Sequence, residues 1–192
     1  ANSQLNLREP VIVYSTGDVA RGYPLSVLLW HEIINDTVNG QPIAVTYCPL
    51  CNASIVFDRQ IAKQTLDFGV TGLLRHSDMV MYDHQTQSWW QQFTGECLAG
   101  KFCRTRLRIL QSNVMSYAEF RSTYPGGKVL SSETGHDRAY GTNPYRSYDD
   151  PSSTPSLYTG TRDPRLPPLE RVLGGVVGEQ SRAYAYSVLE KD

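Results

Sequence analysis

No stretch of this chain approaches the roughly 18 consecutive apolar residues that a membrane-spanning helix needs. An excess of one charge is missing as well. Eighteen Lys and Arg stand against 19 Asp and Glu, a formal net charge of -1. Without a basic stripe to meet a phosphate backbone, electrostatic nucleic-acid binding is not expected. Arg104, Arg106 and Arg108 alternate, and a solvated strand face accounts for that spacing. Phosphate-cradling glycine loops are absent too: Gly69-x-x-Gly72 has neither the length nor the lysine of one. Thr134-Gly135-His136-Asp137-Arg138 carries no nucleophile motif.

Cysteine is scarce. Four in 192 residues do not make a disulfide scaffold, although Cys97 and Cys103 are close enough in sequence to bridge a short loop. Such a bond adds roughly 2 to 3 kcal/mol in the chain-entropy model and implies an oxidising compartment. What is present suffices for a globular body. Forty per cent apolar and 19% charged residues lie outside the disordered class, and the length suits one substantial core. The chain begins at Ala1 rather than Met, as a processed or trimmed form would.

The remaining two cysteines lie in Thr46-Tyr47-Cys48-Pro49-Leu50-Cys51-Asn52-Ala53-Ser54, a Cys-Pro-x-Cys turn between apolar, β-branched segments. Pro49 fixes its own φ and pushes Cys48 towards an extended conformation. Asn52 tolerates the left-handed region, so strand, turn and strand form a knuckle that aims both sulfurs the same way. The shape resembles the rubredoxin and zinc-ribbon knuckle, in which Gly usually takes the Asn52 position. Three readings follow. Cys48 and Cys51 are thiolate ligands of a soft metal, or a thiol-disulfide oxidoreductase pair with Cys48 as nucleophile and Cys51 as resolving thiol, or purely structural in a scaffold or assembly protein with no catalytic role. The β-branched flank Ser54 to Asp58 lacks the long helix of a thioredoxin-like site.

Metal binding needs further ligands. Alternation over His76 to His84 puts His76, Asp78, Tyr82 and His84 on one strand face and Met79 and Met81 on the other. His76 and His84 are therefore the candidate imidazole ligands, with Met79 or Met81 as a weak thioether ligand and helical His31 as a further candidate. Two thiolates with imidazole suit zinc, and an added thioether favours copper. Glu32, Asp36, Asp78 and Asp83 are solvated carboxylates unless the fold gathers them. Trp89-Trp90-Gln91-Gln92 reads as core aromatics at a strand edge, or as part of a polar-ligand pocket.

The coarse pattern is α+β, a mainly antiparallel sheet with two short helices. Strands are expected at Val11 to Tyr14, Val19 to Tyr23, Ile43 to Tyr47, Ser54 to Asp58, Thr65 to Leu74, Met79 to His84 and Thr105 to Leu110. One helix follows Ser26 and fades at Asn35-Asp36, and another runs from Tyr117 to about Tyr124. Residues 1–140 form the main domain and 141–171 a Pro- and Tyr-rich connector packed on the body. Residues 172–192 begin a second β-β-α repeat. Shifted by 161 positions, Val11, Gly17, Arg21, Tyr23, Ser26, Val27 and Leu28 meet Val172, Gly178, Arg182, Tyr184, Ser187, Val188 and Leu189 without a gap. The second copy is expected to stop at Asp192, the counterpart of His31.

Several motifs occur together and in order: Ala20-Arg21-Gly22-Tyr23-Pro24-Leu25, His31-Glu32-Ile33-Ile34-Asn35-Asp36, Thr46 to Cys51, Phe68 to Leu74, Met79 to Asp83, and Thr134-Gly135-x-x-Arg138-x-Tyr140-Gly141-x-Asn143-Pro144-Tyr145. In these the chain resembles the bacterial and archaeal family catalogued as domain of unknown function 3179, over nearly its whole length. The resemblance implies a periplasmic, secreted or cell-surface protein, joined to a membrane only through a tether outside this chain. It implies no activity, ligand set or partner. The resulting expectation is an extracytoplasmic copper- or zinc-binding protein using Cys48, Cys51, His76 and His84, with Cys97 and Cys103 as a structural disulfide.

Overall fold

The computed structural model describes residues 5–191 and divides them into two compact units, one up to Pro144 and one from Tyr145. In the first unit, strands β1 (Pro10–Thr16) and β2 (Val19–Pro24) lead into helix α1 (Leu25–His31). They are followed by β3 (Ile33–Val38), β4 (Gln41–Cys48), β5 (Ala53–Asp58), β6 (Gln60–Ile61), β7 (Gln64–Thr65), β8 (Phe68–Arg75) and β9 (Asp78–Asp83). Short strands β10 (Trp89–Gln91), β11 (Cys97–Ala99), β12 (Ile109–Leu110) and β13 (Asn113–Ser116) precede helix α2 (Tyr117–Thr123) and β14 (Lys128–Val129). The second unit holds β15 (Val172–Val177), β16 (Gln180–Ala185) and α3 (Tyr186–Leu189). The architecture is α+β, mostly antiparallel sheet with few short helices.

Three four-stranded sheets, ordered β13-β1-β2-β14, β12-β5-β4-β3 and β11-β10-β9-β8, supply the core. The β12-β5-β4-β3 sheet is buried on both faces, and β4 shows why. Its odd positions Ile43, Val45 and Tyr47 pack with Ile12, Tyr23 and Leu28 of the β1-β2-α1 unit. Its even positions Ala44 and Cys48 pack with Met79, Met81 and Trp90. Period-two alternation therefore divides one apolar run between two cores. A third cluster, Val11, Val13 and Ala20 with Phe120, seats α2 on the outer face of β1 and β2. The start of α2 carries a Ser116–Glu119 capping box that satisfies two otherwise orphaned N–H groups.

The helix expected to fade at Asn35-Asp36 ends earlier. Glu32, at φ +58°, closes α1, and Ile33 to Val38 form a strand paired with β4 through the Asn39-Gly40 turn. Their β-branched residues and the hairpin turn outweigh the helical spacing of Ile34. Ser26 does not cap the helix from outside. It lies within the first turn, and its N–H donates to the Glu9 carboxylate at 2.8 Å. The Thr105 to Leu110 strand shrinks to Ile109–Leu110, because Arg104 takes φ +71° and the three arginines share no strand face. Arg108 instead pairs with the buried Asp58 carboxylate at 2.6 Å.

The repeat is structural as well as sequential. Adding 161 to both members of every β1–β2 pair, from Val11↔Pro24 to Thr16↔Val19, gives the β15–β16 pairs from Val172↔Ala185 to Val177↔Gln180. Gly17 and Gly178 both adopt positive φ at the turn. The helix-start contact recurs too, with Ser187 N–H donating to Glu170 Oε1 at 3.1 Å. Burial differs between the copies. Val11, Ile12, Tyr23 and Leu28 are buried, whereas Val172, Leu173, Tyr184 and Leu189 are exposed. Asp192, where the second copy was expected to end, lies outside the described residues.

Residues 145–171 contain no helix or strand and belong to the same unit as the second hairpin. Gly69 is among the glycines required by close approach: a Cβ there would lie 2.7 Å from the Tyr82 ring across the β8–β9 ladder. Gly69→Ala should therefore lower stability by about 1 to 3 kcal/mol through overpacking. Gly174→Ala, where a Cβ meets nothing within 4 Å, should change it by less than about 0.5 kcal/mol. Urea midpoints at constant slope measure both.

Candidate metal centre

The site forms where two hairpin ends meet. β4 stops at Cys48 because Pro49 has no N–H to continue a ladder. The turn then closes locally, with Cys51 N–H donating to the Cys48 carbonyl at 3.2 Å and Asn52 N–H to the Pro49 carbonyl at 3.4 Å. Asn52 sits at φ +48°, in the left-handed region expected of it, and its side-chain oxygen accepts the Tyr47 hydroxyl at 2.9 Å. That bond explains why Asn serves here in place of Gly. β5 resumes at Ala53, directly opposite Cys48, so the segment is a knuckle between strands and no helix follows it.

The β8–β9 hairpin supplies the third group. Cys48 and Cys51 Sγ are hydrogen-bonded at 3.1 Å, and Cys51 Sγ lies 3.4 Å from Asp78 Oδ1 and 3.5 Å from the Ser77 carbonyl oxygen. Asp78 is held in place by Phe93 N–H, which donates to its other oxygen at 2.9 Å. The three ligand atoms lie within 4.8 Å of one another. Cys48 and Asp78 are buried, and Cys51 is half-buried.

The two sulfurs are not equivalent. The Cys51 thiol hydrogen bond, helped by the Met79 backbone N–H, lowers the Cys48 pKa from its ordinary value although burial opposes it. The Cys51 pKa is raised, first by its bond to Cys48, then by burial and the Asp78 carboxylate. The two shifts run in opposite directions, so Cys51, next to the carboxylate, is the harder of the two to deprotonate and Cys48 the easier. Two thiolates and a carboxylate form a donor set that could hold a metal ion, leaving one tetrahedral position open.

The sequence placed the histidines beside these sulfurs, and in the structure neither joins the group. His76 lies in the β8–β9 turn, where it and Ser77 both take positive φ, so strand alternation does not extend to it. Neither His76 nor His84 belongs to the group formed by Cys48, Cys51 and Asp78. β9 spans six residues, about 17 Å at 3.3 Å per residue, with Asp78 at one end. His84 lies beyond the other end, exposed, with its ring 4.9 Å from that of Tyr82. His31 Nε2 is hydrogen-bonded to the Tyr140 hydroxyl at 2.5 Å. Met79 and Met81 are core side chains packed in the same cluster as Cys48.

Cys97 and Cys103 are both unbonded, Cys97 buried and Cys103 exposed. They are neighbours, since burial and then the adjacent Cys103 push the Cys97 thiol up to about 11. The acidic residues serve separate roles. Asp36 accepts the Tyr23 hydroxyl at 2.7 Å, and Asp83 accepts Trp90 Nε1 at 3.0 Å. Gln92 Nε2 donates to Thr46 Oγ1 at 2.9 Å and to the Ala53 carbonyl at 3.1 Å, tying β10's end to the knuckle hairpin. Thr46 gives its own proton to the Ile55 carbonyl, so both partners accept and the amide orientation is fixed.

Asp78 is the member that sequence spacing did not assign. It shared a strand pattern with His76 and stood among four carboxylates that the fold could gather, and no spacing rule pairs that hairpin with the Cys48 turn.

No curated protein and no solved structure matches the chain. The family described as "Protein of unknown function (DUF3179)" matches residues 1–192, and the chain belongs to that family.

Proposed function

We propose that this protein binds one transition-metal ion through Cys48, Cys51 and Asp78, and that zinc is the metal. The observation that carries this reading is the convergence of two sulfurs and a carboxylate from separate hairpins within 4.8 Å. Thiolates suit both zinc and copper(I), but a carboxylate oxygen is a hard ligand and favours zinc. Binding would displace the Cys51 proton, which relieves a buried thiol held next to a carboxylate. A location outside the cytoplasm belongs to the same reading, supported by the juxtaposed Cys97 and Cys103, which an oxidising compartment would join.

Thiol-disulfide exchange is the second reading, favoured by two sulfurs at 3.1 Å whose pKa values are shifted in opposite directions. Two sulfurs on one tetrahedral zinc lie roughly 3.8 Å apart, so the pair must open to take the ion. Access weighs against exchange. The sulfur with the lowered pKa belongs to Cys48, which is 1% exposed, whereas an attacking thiolate must reach a partner disulfide in line.

Protein purified without chelator should carry close to one zinc per chain by elemental analysis. Asp78→Asn should weaken zinc binding by about 10- to 100-fold in a chelator competition, and the Cys48→Ser, Cys51→Ser double variant should abolish it. Equal metal in all three proteins refutes the site. A Cys51→Ser variant that accumulates mixed disulfides with other proteins would favour the second reading. In the folded metal-free protein, iodoacetamide should label exposed Cys103 well before Cys48, as peptide mass spectrometry would record.

A further inference from the structure

A second group of polar side chains gathers where α1 ends. His31 Nε2 is hydrogen-bonded to the Tyr140 hydroxyl at 2.5 Å, and that hydroxyl is bonded to Thr134 Oγ1 at 2.5 Å. The His136 ring lies 5.3 Å from the His31 ring, and His136 N–H donates to Thr134 Oγ1 at 3.3 Å. Arg138 is near enough for its charge to act on His31, and its only hydrogen bond among the described residues goes to the Asp137 carbonyl. Four of these residues come from one irregular segment, 134–140, and it is folded against a helix more than 100 positions earlier.

The charges around this group are one-sided. Two imidazoles are in contact, Arg138 follows His136 by two residues, and among the described residues none of the three forms an ion pair with a carboxylate. Glu32 follows His31 in sequence, and Glu133 and Asp137 flank His136. The His31 pKa is held below its ordinary value by burial, then by His136, then by Arg138. His136 and Arg138 are exposed and His31 half-buried, so an ion can reach them from solvent. Cationic side chains without a carboxylate partner, beside two hydroxyls, have the chemistry that recognises an oxyanion.

We propose that His31, His136 and Arg138, with the hydroxyls of Tyr140 and Thr134, form a binding site for a small oxyanion of the phosphate or carboxylate class. Arg138 supplies a planar fork of N–H donors. The imidazoles add N–H donors and, when protonated, charge. Tyr140 orients His31 through the 2.5 Å bond, and its hydroxyl is bonded in turn to Thr134 Oγ1 at 2.5 Å. The site stands independently of the metal proposal, because none of its members is a thiol or Asp78.

The linkage has a definite sign. A bound anion favours the imidazolium, so it raises the His31 pKa, and affinity grows as pH falls through the histidine range. The test is a titration of the full chain with sulfate, whose charge is constant between about pH 5.5 and pH 8, followed by histidine NMR and by calorimetry. Inorganic phosphate and acetate run as separate arms to distinguish the two oxyanion sources. Expected are saturable shifts of the His31 and His136 signals, an upward move of the His31 pKa, and sulfate binding at least about threefold tighter at the lower pH. Arg138→Gln should weaken binding by about tenfold while leaving the urea midpoint unchanged. Tyr140→Phe should reduce the His31 shift while Arg138 still binds. Overturning results are the absence of saturable shifts at millimolar anion, or equal affinity in wild type and an Arg138→Gln, His136→Gln double variant. Zinc retention in that double variant separates failure of this site from failure of the metal centre.

Discussion

Burial of β4 on both faces is the constraint from which the rest follows. A strand covered on one side only would tolerate a polar alternate residue, whereas β4 reads apolar from Ile43 to Val45 and has a hydrogen-bonded Thr46 where a hydroxyl enters the interior. Parity then decides the site. Odd residues belong to the β1-β2-α1 core and even residues to the core of β8 to β11. Cys48 is even, so its sulfur faces β9 rather than α1. A one-residue slip of β4 would exchange every one of these assignments and carry the thiol away from Asp78.

Local patterns made much of this fold legible. The first hairpin, the Asn39-Gly40 turn, the strands on either side of the knuckle and the left-handed Asn52 all follow from short-range chemistry, and the structure contains each. Helix α1 was legible in kind but not in length. Ile33 and Ile34 suit a helix face as well as a strand, and only pairing with β4, a tertiary fact, resolves that ambiguity.

The site was half legible. Two cysteines in one turn advertise themselves, because both ligands come from one local structure. Asp78 does not, since its place depends on which hairpin lies over which core. The alternation that placed His76 with Asp78 does not hold at His76-Ser77, where the chain reverses with two consecutive positive φ values. That reversal puts His76 at the loop tip and leaves Asp78 as the first strand residue, facing the thiols.

The Glu9–Ser26 and Glu170–Ser187 contacts change where the duplicated piece begins. Neither glutamate lies in its hairpin, yet each satisfies an N–H in the first turn of the helix that ends its copy. The unit that was copied therefore includes the residue before the first strand, and it carries its own helix-starting group. A cut at Val172 would sever a side-chain clasp as well as a backbone. The smallest transferable module of this fold is thus a glutamate, a hairpin and a helix, closed on itself by one carboxylate.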